Sequence, residues 1–306
     1  MLWILITVLS YLLLAITALG DKYLLAGPPE PKSYTFFINL PGILALFLIP
    51  FVGFGQPSSA QIFSGLLAGA VTALAGFFLY VSLEKFEASR VIPAIGGILP
   101  LFTFLMVYFS SGGKIGLSFS DALAFFLLIS GSVLINLEIG KAISWSSLRF
   151  SLTAAFLFAL SFFLAKNLYL GLSFWTAFIM MRVGGFLFSL VFLLSPEARQ
   201  KIFQEQFGFQ RKTGMIFLAN QGLGGTAMIL QNIALVLVPL GYLAFVNALE
   251  ATRYVFLLIL SVLLPLKFPG ILKEEVTGKI ILQKSVAILI IVLGLSVLMF
   301  SSKIRG

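Results

Sequence analysis

Long apolar runs separated by short polar links make up almost the whole chain. The apolar runs cover residues 2–19, 34–54, 61–83, 91–109, 120–137, 150–169, 174–195, 214–236, 239–264 and 284–301. These lengths lie near the 20 or so residues that an α-helix needs to cross a bilayer. No link contains a low-complexity stretch or is long enough for a soluble domain. The pattern therefore predicts an all-α polytopic membrane protein with about ten transmembrane helices.

The order of the runs predicts an internal duplication. Residues 13–24 keep four identities with residues 157–168, and each segment closes the first run of its half. Residues 98–109 and 249–260 both lie in the fourth run of their half. Because five runs per half is an odd number, duplication gives two halves of opposite orientation, with a binding site expected near the midplane between them. The predicted inverted five-helix repeats are residues 1–145 and 146–306, joined in one integrated membrane domain.

Composition supports a membrane protein and excludes several kinds of chemistry. Hydrophobic residues make up 60% of the chain and charged residues 10%, and the mean hydropathy is +1.09. The sequence contains no Cys and no His, which excludes disulfides, thiol nucleophiles and nearly every zinc site. We therefore expect no cofactor and no metal. The formal charge of +9 comes from basic residues scattered over the links, which lipid attraction and topology explain better than nucleic acid does.

The run 239–264 carries two charges near its middle, Glu250 and Arg253. An ionisable group at membrane depth costs about 2.5–3.5 kcal/mol on insertion scales, so it is treated first as a functional hypothesis. Asn247, Glu250 and Tyr254 follow i, i+3, i+7 spacing, which would place them on one helical stripe. Two interpretations stay open: a site for a ligand or a proton, or an ion pair that only allows two charges to be buried together.

A second polar set lies in the run 214–236. It consists of four amides in an otherwise apolar segment, Asn220, Gln221, Gln231 and Asn232. The glycines Gly222, Gly224 and Gly225 lie among them, and glycine allows a neighbouring helix or a ligand to come close, or the helix to break. The amides either line a cavity or form hydrogen bonds between helices, which are worth about 0.6 kcal/mol each.

Two further candidates complete the predicted site. Arg182 is a deep charge that either lines the cavity and holds an anionic group, or snorkels, or pairs with Glu250. Tyr80 is the candidate from the first half, where single polar residues more often pack in the core. The first half thus supplies mainly an apolar and aromatic wall, which suits an amphipathic organic solute better than a sugar.

Three stretches of the chain, at residues 80–102, 156–185 and 249–264, together resemble the drug/metabolite transporter superfamily, EamA type. Residues 80–102 (YVSLEKFEASRVIPAIGGILPLF) resemble its passage from the third to the fourth helix, and residues 249–264 resemble the same passage in the second half. Residues 156–185 resemble the start of its repeat, with Arg182 at the place of a frequent arginine. The first half departs from the pattern at 38–42, where no arginine matches Arg182, and at 112–114, where Gly-Gly-Lys replaces a frequent Gly-Glu.

Together, these features predict a secondary transporter, not an enzyme, in the cell membrane. We expect it to export a small organic metabolite or amphipathic compound by alternating access, as a monomer or homodimer coupled to protons or to a counter-substrate. The alternatives are an integral membrane enzyme acting on lipid and a subunit without transport of its own. The expected partners are the solute and the lipid bilayer, with no nucleic acid.

Membrane orientation is the first testable prediction. The links that join runs 1 and 2, 3 and 4, 5 and 6, 7 and 8, and 9 and 10 lie on one side of the membrane. That side carries fourteen Lys and Arg residues, against four on the opposite side. The positive-inside rule then places both termini outside, whereas the resemblance to the ten-helix family implies termini inside. Because the bias has the same sign in both halves, we expect a reporter that works only in the cytoplasm to be inactive when fused after Gly306. An active reporter would contradict this orientation.

Overall fold

The computed structural model describes residues 2–24, 31–86, 88–136, 145–204, 211–263 and 278–304, and every regular element in these ranges is a helix. The α-helices are α1 (Leu2–Leu24), α2 (Pro31–Asn39), α3 (Ile49–Val52), α4 (Ser59–Lys85), α5 (Ala88–Ser110), α6 (Phe119–Asn136), α7 (Trp145–Gly171), α8 (Phe174–Ser189), α9 (Pro196–Gln204), α10 (Arg211–Leu237), α11 (Leu243–Ala248), α12 (Ala251–Leu263) and α13 (Gly278–Ile304). Segments of 3₁₀ helix cover Leu40–Leu48, Leu190–Leu194 and Leu240–Tyr242.

The all-helical, membrane-compatible class is confirmed for the part of the chain that the structure describes. Five helical stretches are long and apolar enough to cross a membrane: Pro31–Val52, Ser59–Lys85, Leu148–Gly171, Phe174–Leu194 and Leu282–Phe300. Leu2–Ala18, Ala94–Ser110 and Phe119–Leu134 are shorter apolar helices. Helix also occupies most of the described residues of all ten predicted runs, and the runs 34–54, 174–195 and 239–264 change helix type or break. The number of crossings and the repeat boundary at 145/146 stay predictions.

Local sequence signals explain several helix ends. The Ser58 hydroxyl accepts a hydrogen bond from the backbone amide of Gln61 at 3.3 Å, and the Gln61 side-chain oxygen accepts one from the backbone amide of Ser58 at 2.8 Å. This pair of bonds is a capping box at the start of α4. Gly53 ends α3 with φ +74°, a left-handed conformation that suits glycine. Pro41 lacks an amide hydrogen and lies at the start of the 3₁₀ segment that follows α2.

The chain divides into two compact units, each built from separate stretches of sequence. The first unit consists of Met1–Ala26, Ser111–Lys141 and Phe209–Gly306. In this unit α1 packs along α10 and against α12, while α6 packs along α13 and also contacts α11 and α12. The broken run around Glu250 therefore lies between α1 and α6.

The second unit consists of Gly27–Ser110 and Ala142–Gly208. Helix α4 is central here, since it packs against α7, α8 and α2, and α5 packs along α7. The short helix α9 follows the predicted run 174–195 and buries Ala198 and Ile202 against Phe36 of α2.

The first helices of the two predicted halves have matching surroundings. Helix α1 packs against the helices of the eighth and ninth runs, α10 and α12. Its counterpart is α7, since residues 13–24 pair with residues 157–168. Helix α7 packs against the helices of the third and fourth runs, α4 and α5. Each half thus contributes its first helix to contacts with the third and fourth helices of the other half.

Glycines allow α4 and α8 to approach at backbone distance. A Cβ atom added to Gly69 would collide with the backbone oxygen of Met181 and lie 2.7 Å from the backbone nitrogen of Gly185. A Cβ on Gly184 would collide with the backbone oxygen of Leu66. Because backbone atoms cannot rotate away as a side chain can, these contacts require glycine.

We predict that Gly69→Ala destabilises the protein, because the added methyl group forces α4 and α8 apart. Overpacking of this kind costs about 1–3 kcal/mol, and thermal unfolding of the purified protein should show a melting temperature lower by several degrees. Gly222→Ala is the matched control, since a Cβ there would meet no described atom within 4 Å. An equal effect of the two substitutions would contradict the close packing of α4 on α8.

Candidate functional site

The helix of the run 239–264 is broken at Leu249–Glu250. Helix α11 ends at Ala248, and α12 begins at Ala251. Across the break the backbone bonds shorten to i→i−3: the Glu250 amide donates to the Asn247 carbonyl at 3.1 Å, and the Arg253 amide to the Glu250 carbonyl at 2.9 Å. The single stripe expected for Asn247, Glu250 and Tyr254 assumed a continuous helix, and that assumption is wrong. The charged pair instead lies at a helix discontinuity.

Glu250 and Arg253 form the expected ion pair. Arg253 Nη1 lies 3.6 Å from Glu250 Oε1, and the side chains are only 21% (Glu250) and 29% (Arg253) exposed. The Tyr254 hydroxyl, one helical turn after Glu250, hydrogen-bonds its carboxylate. The Nε atom of Arg253 is buried and has no hydrogen-bond partner among the described residues. The pair therefore keeps one buried donor that the ion pair does not use.

A tyrosine from α1 joins this cluster. The Tyr11 hydroxyl donates to the Val246 carbonyl at 3.0 Å and accepts from Gln231 Nε2 at 3.4 Å. Tyr11 is buried and lies within electrostatic range of Glu250 and Arg253. Tyr11 is not among the residues predicted from the sequence, although a phenol near the middle of an apolar run, away from the interfacial ends, was an available signal. We call Tyr11, Gln231, Glu250, Arg253 and Tyr254 the span-nine cluster, after the ninth apolar run, 239–264, which contains three of these residues.

The amides of α10 have different roles. Asn220 donates a hydrogen bond to the Thr17 carbonyl of α1 at 3.3 Å, and Gln231 donates to Tyr11 of the same helix. The two amides therefore share one face of α10. Asn232 donates to the Met228 carbonyl of its own helix at 2.8 Å, and Gln221 is exposed. Helix α10 runs from Arg211 to Leu237 past the three glycines, so of the alternatives given for them the helix break does not occur. Of the four predicted amides, Gln231 is the one that bonds to Tyr11 and is counted in the span-nine cluster.

Asn247 is buried on α11, directly before the break. Its backbone carbonyl is the acceptor for the Glu250 amide, so this residue helps to define the turn that carries the carboxylate. With Asn247, eight of the ten predicted site residues lie in the first unit.

Arg182 and Tyr80 lie in the second unit. The Arg182 guanidinium lies over the Phe178 ring, 5.5 Å from its centroid, and interacts electrostatically with Tyr169. Tyr80 packs edge-to-face against Tyr34 with ring centroids 4.7 Å apart. Both residues thus have aromatic neighbours within their own unit.

The second unit also has an open groove between α4 and α7 with a volume of about 210 Å³. It is lined by Ala60, Gln61, Ser64, Leu164, Asn167, Leu168 and Gly171. The predicted site residues are not among them. The described residues also contain no group of three or more acidic side chains that could hold a metal ion.

The repeat pairing gives the span-nine cluster an apolar counterpart. The pairing of 98–109 with 249–260 sets Leu99 opposite Glu250, and extending the pairing of the first helices by two residues sets Ala155 opposite Tyr11. Leu99 and Ala155 belong to one buried apolar cluster in the second unit, together with Val91, Ile95 and Ala154. The positions that pair with Glu250 and Tyr11 therefore hold buried apolar side chains in the second unit.

Comparison with known structures shows that the fold occurs elsewhere. A crystal structure of another protein is similar with a TM-score of 0.68, covering 96% of this chain and 97% of the other, at 16% sequence identity. Identity this low shows a shared fold and says nothing about activity. No family model matches the chain, and no curated protein matches it in sequence.

We predict that Arg253→Ala destabilises the protein more than Glu250→Gln does. Removing the guanidinium leaves a largely buried carboxylate without its cation, at a cost of about 1–3 kcal/mol, whereas Gln keeps the shape and the bond to Tyr254. Chemical or thermal unfolding of the two variants measures the difference. Arg149→Ala, at an exposed arginine, is the control. If Arg253→Ala were as mild as the control, the pair would contribute nothing to stability.

Proposed function

We propose that the protein is a secondary transporter of the drug/metabolite type, with ten helices in two inverted repeats that move a small organic solute by alternating access. The observation that carries this proposal is the span-nine cluster at the break between α11 and α12. Discontinuous membrane helices place charged groups and backbone dipoles at the binding sites of many transporters. A carboxylate and a guanidinium at such a break can bind a polar substrate or take up a proton.

The chemistry of the pair supports a switch of charge. Arginine keeps its proton under all physiological conditions, so Glu250 alone can change the net charge of the pair. The buried Nε of Arg253 is a donor to which a substrate oxygen can bond. Tyr254 and Tyr11 are further titratable groups beside Glu250, and Gln231 adds a neutral amide from α10.

The apolar counterpart in the second unit argues against a purely structural role. Leu99 and Ala155 occupy the equivalent crossing, and both are buried without any charge. Packing a first helix against a fourth helix therefore does not require a carboxylate or an arginine. Since burying charges is costly, the span-nine cluster needs another reason to be there, and ligand or proton binding supplies one.

The reciprocal packing of the first helices supports the repeat. The contacts of α1 with α10 and α12 and those of α7 with α4 and α5 correspond run by run. This correspondence is what a duplicated five-helix segment produces. In transporters built in this way, the solute site lies between the repeats. The repeats move against each other, so that the site opens to one side of the membrane and then to the other.

The proposed direction is export, coupled to a proton or a counter-substrate gradient, with the protein as a monomer or homodimer in the cell membrane. A lipid-modifying enzyme would place its reactive groups where headgroups are, whereas the span-nine cluster lies near the middle of an apolar run. A subunit without transport would show no solute flux of its own.

We predict that Glu250→Gln abolishes the pH dependence of transport while leaving the fold intact. A metabolite panel is first screened for compounds that raise the melting temperature, because a ligand that binds only the folded state stabilises it. The flux of the best stabiliser into proteoliposomes is then measured across a range of pH. Glu197→Gln, which removes an exposed carboxylate on α9, should keep the wild-type profile.

Two results would count against the proposal. If wild-type protein gives no flux of any stabilising compound, the transporter function fails. If Glu250→Gln keeps the rate and the pH profile while Glu250→Ala only destabilises, the pair is structural, and the site has to be sought at Arg182 and the amides of α10.

A further inference from the structure

The break at Glu250 releases a backbone carbonyl. In a continuous α-helix the Val246 carbonyl would accept from the Glu250 amide, four residues on. That amide instead donates to the Asn247 carbonyl at 3.1 Å. An unpaired carbonyl among apolar side chains costs several kcal/mol in a membrane, so the Val246 oxygen requires another donor.

Tyr11 supplies that donor from another helix. Its hydroxyl donates to the Val246 oxygen at 3.0 Å, and both residues are buried, so the bond lies inside the unit. Gln231 Nε2 donates to the same hydroxyl oxygen at 3.4 Å, which leaves the hydroxyl hydrogen directed to the carbonyl. One side chain thus connects α1, α10 and the end of α11.

The second unit contains a natural comparison. Its helix α7, the first helix of the second predicted half, has Ala155 opposite Tyr11, and an alanine methyl group cannot donate a hydrogen bond. Its helix α5, from the fourth run, is continuous from Ala88 to Ser110, even though it contains Pro100 beside Leu99. The helix is broken in the unit that has a tyrosine at this position and continuous in the unit that has an alanine there.

We propose that Tyr11 is a positioning residue of the Glu250 site, whose hydroxyl holds the Val246 carbonyl and thereby keeps the helix broken at Glu250. The importance of this position for transport rests on the proposed function, whereas the hold on the carbonyl does not. Without the hydroxyl, the Val246 carbonyl regains the Glu250 amide as its donor. The break then closes, and the carboxylate turns away from its place beside Arg253.

The sequence allows the Val246 carbonyl to be observed alone. Val followed by Asn occurs once in the chain, at 246–247. Protein labelled with ¹³C-carbonyl valine and ¹⁵N-asparagine therefore gives one directly bonded pair in a solid-state NMR spectrum of reconstituted protein. The carbonyl shift of this pair reports the hydrogen bond to Val246.

In Tyr11→Phe we expect this signal to move from its wild-type position. Tyr242→Phe is the matched control, because its hydroxyl lies 3.4 Å from the Asp121 carboxylate, in the same unit but on a different partner. Its Val246 signal should stay in place. An unmoved signal in Tyr11→Phe, or an equal shift in both variants, would overturn the proposal.

A second measurement keeps the test decisive if Tyr11→Phe does not fold. Replacing all tyrosines by 3-fluorotyrosine leaves every side chain in place and makes the phenol a stronger donor, so the Val246 signal should move. If it does not move, Tyr11 does not hold this carbonyl.

The transport arm separates this inference from the proposed function. For the stabilising solute found in the thermal screen, Tyr11→Phe should weaken apparent affinity by up to about tenfold and alter the pH profile, since one hydrogen bond orients the site. A moved signal with no flux even in the wild-type protein would reject the transporter function and leave the hold on Val246 standing. Flux in the wild type with an unmoved signal would reject the role of Tyr11 alone.

Discussion

Backbone hydrogen bonding in an apolar environment governs where this chain can depart from regular helix. Each carbonyl that leaves the i→i−4 pattern must find another donor, because lipid offers none. At Glu250 the donors are the shortened backbone bonds and the Tyr11 hydroxyl, which binds the Val246 oxygen. A break carrying a carboxylate therefore depends on a side chain that lies more than 200 positions away in the sequence.

The same constraint explains the contrast between the breaks and the close helix contacts. Where α4 and α8 meet, Gly69 and Gly184 bring backbone against backbone, and both helices stay regular. Where α1 meets the break, a tyrosine and not a glycine occupies the contact, since the released carbonyl requires a donor. Small residues thus allow close contact between helices whose backbone hydrogen bonds are complete. Polar residues instead supply donors to helices in which a backbone carbonyl has lost its own.

Much of the helical framework could be predicted from the sequence, because apolar runs of membrane length have few alternatives to helix. Glu250, Arg253 and Tyr254 could also be predicted to interact, since they lie within one helical turn of one another. The break could not, because it depends on Tyr11, whose contact with Val246 arises only from the packing of α1 against the ninth run. The division into two units was hidden for the same reason: helices distant in sequence, such as α6 and α13, pack side by side.

The crossing of α1 with α12 carries charges, and the corresponding crossing of α7 with α5 has apolar residues at the paired positions. This difference suggests how such a chain could acquire a charged binding site. If the halves arose by duplication, the crossing of first and fourth helices existed twice, and in one copy Leu99 and Ala155 are buried in an apolar cluster. Introducing a carboxylate at the other copy adds a desolvation cost that Arg253, Tyr254 and the buried network from α1 and α10 must offset. A glutamate placed there without the tyrosine would sit on a continuous helix, with every backbone bond satisfied and no discontinuity to bind at. The phenol and the carboxylate therefore depend on each other, and together they link α1, α10 and α12.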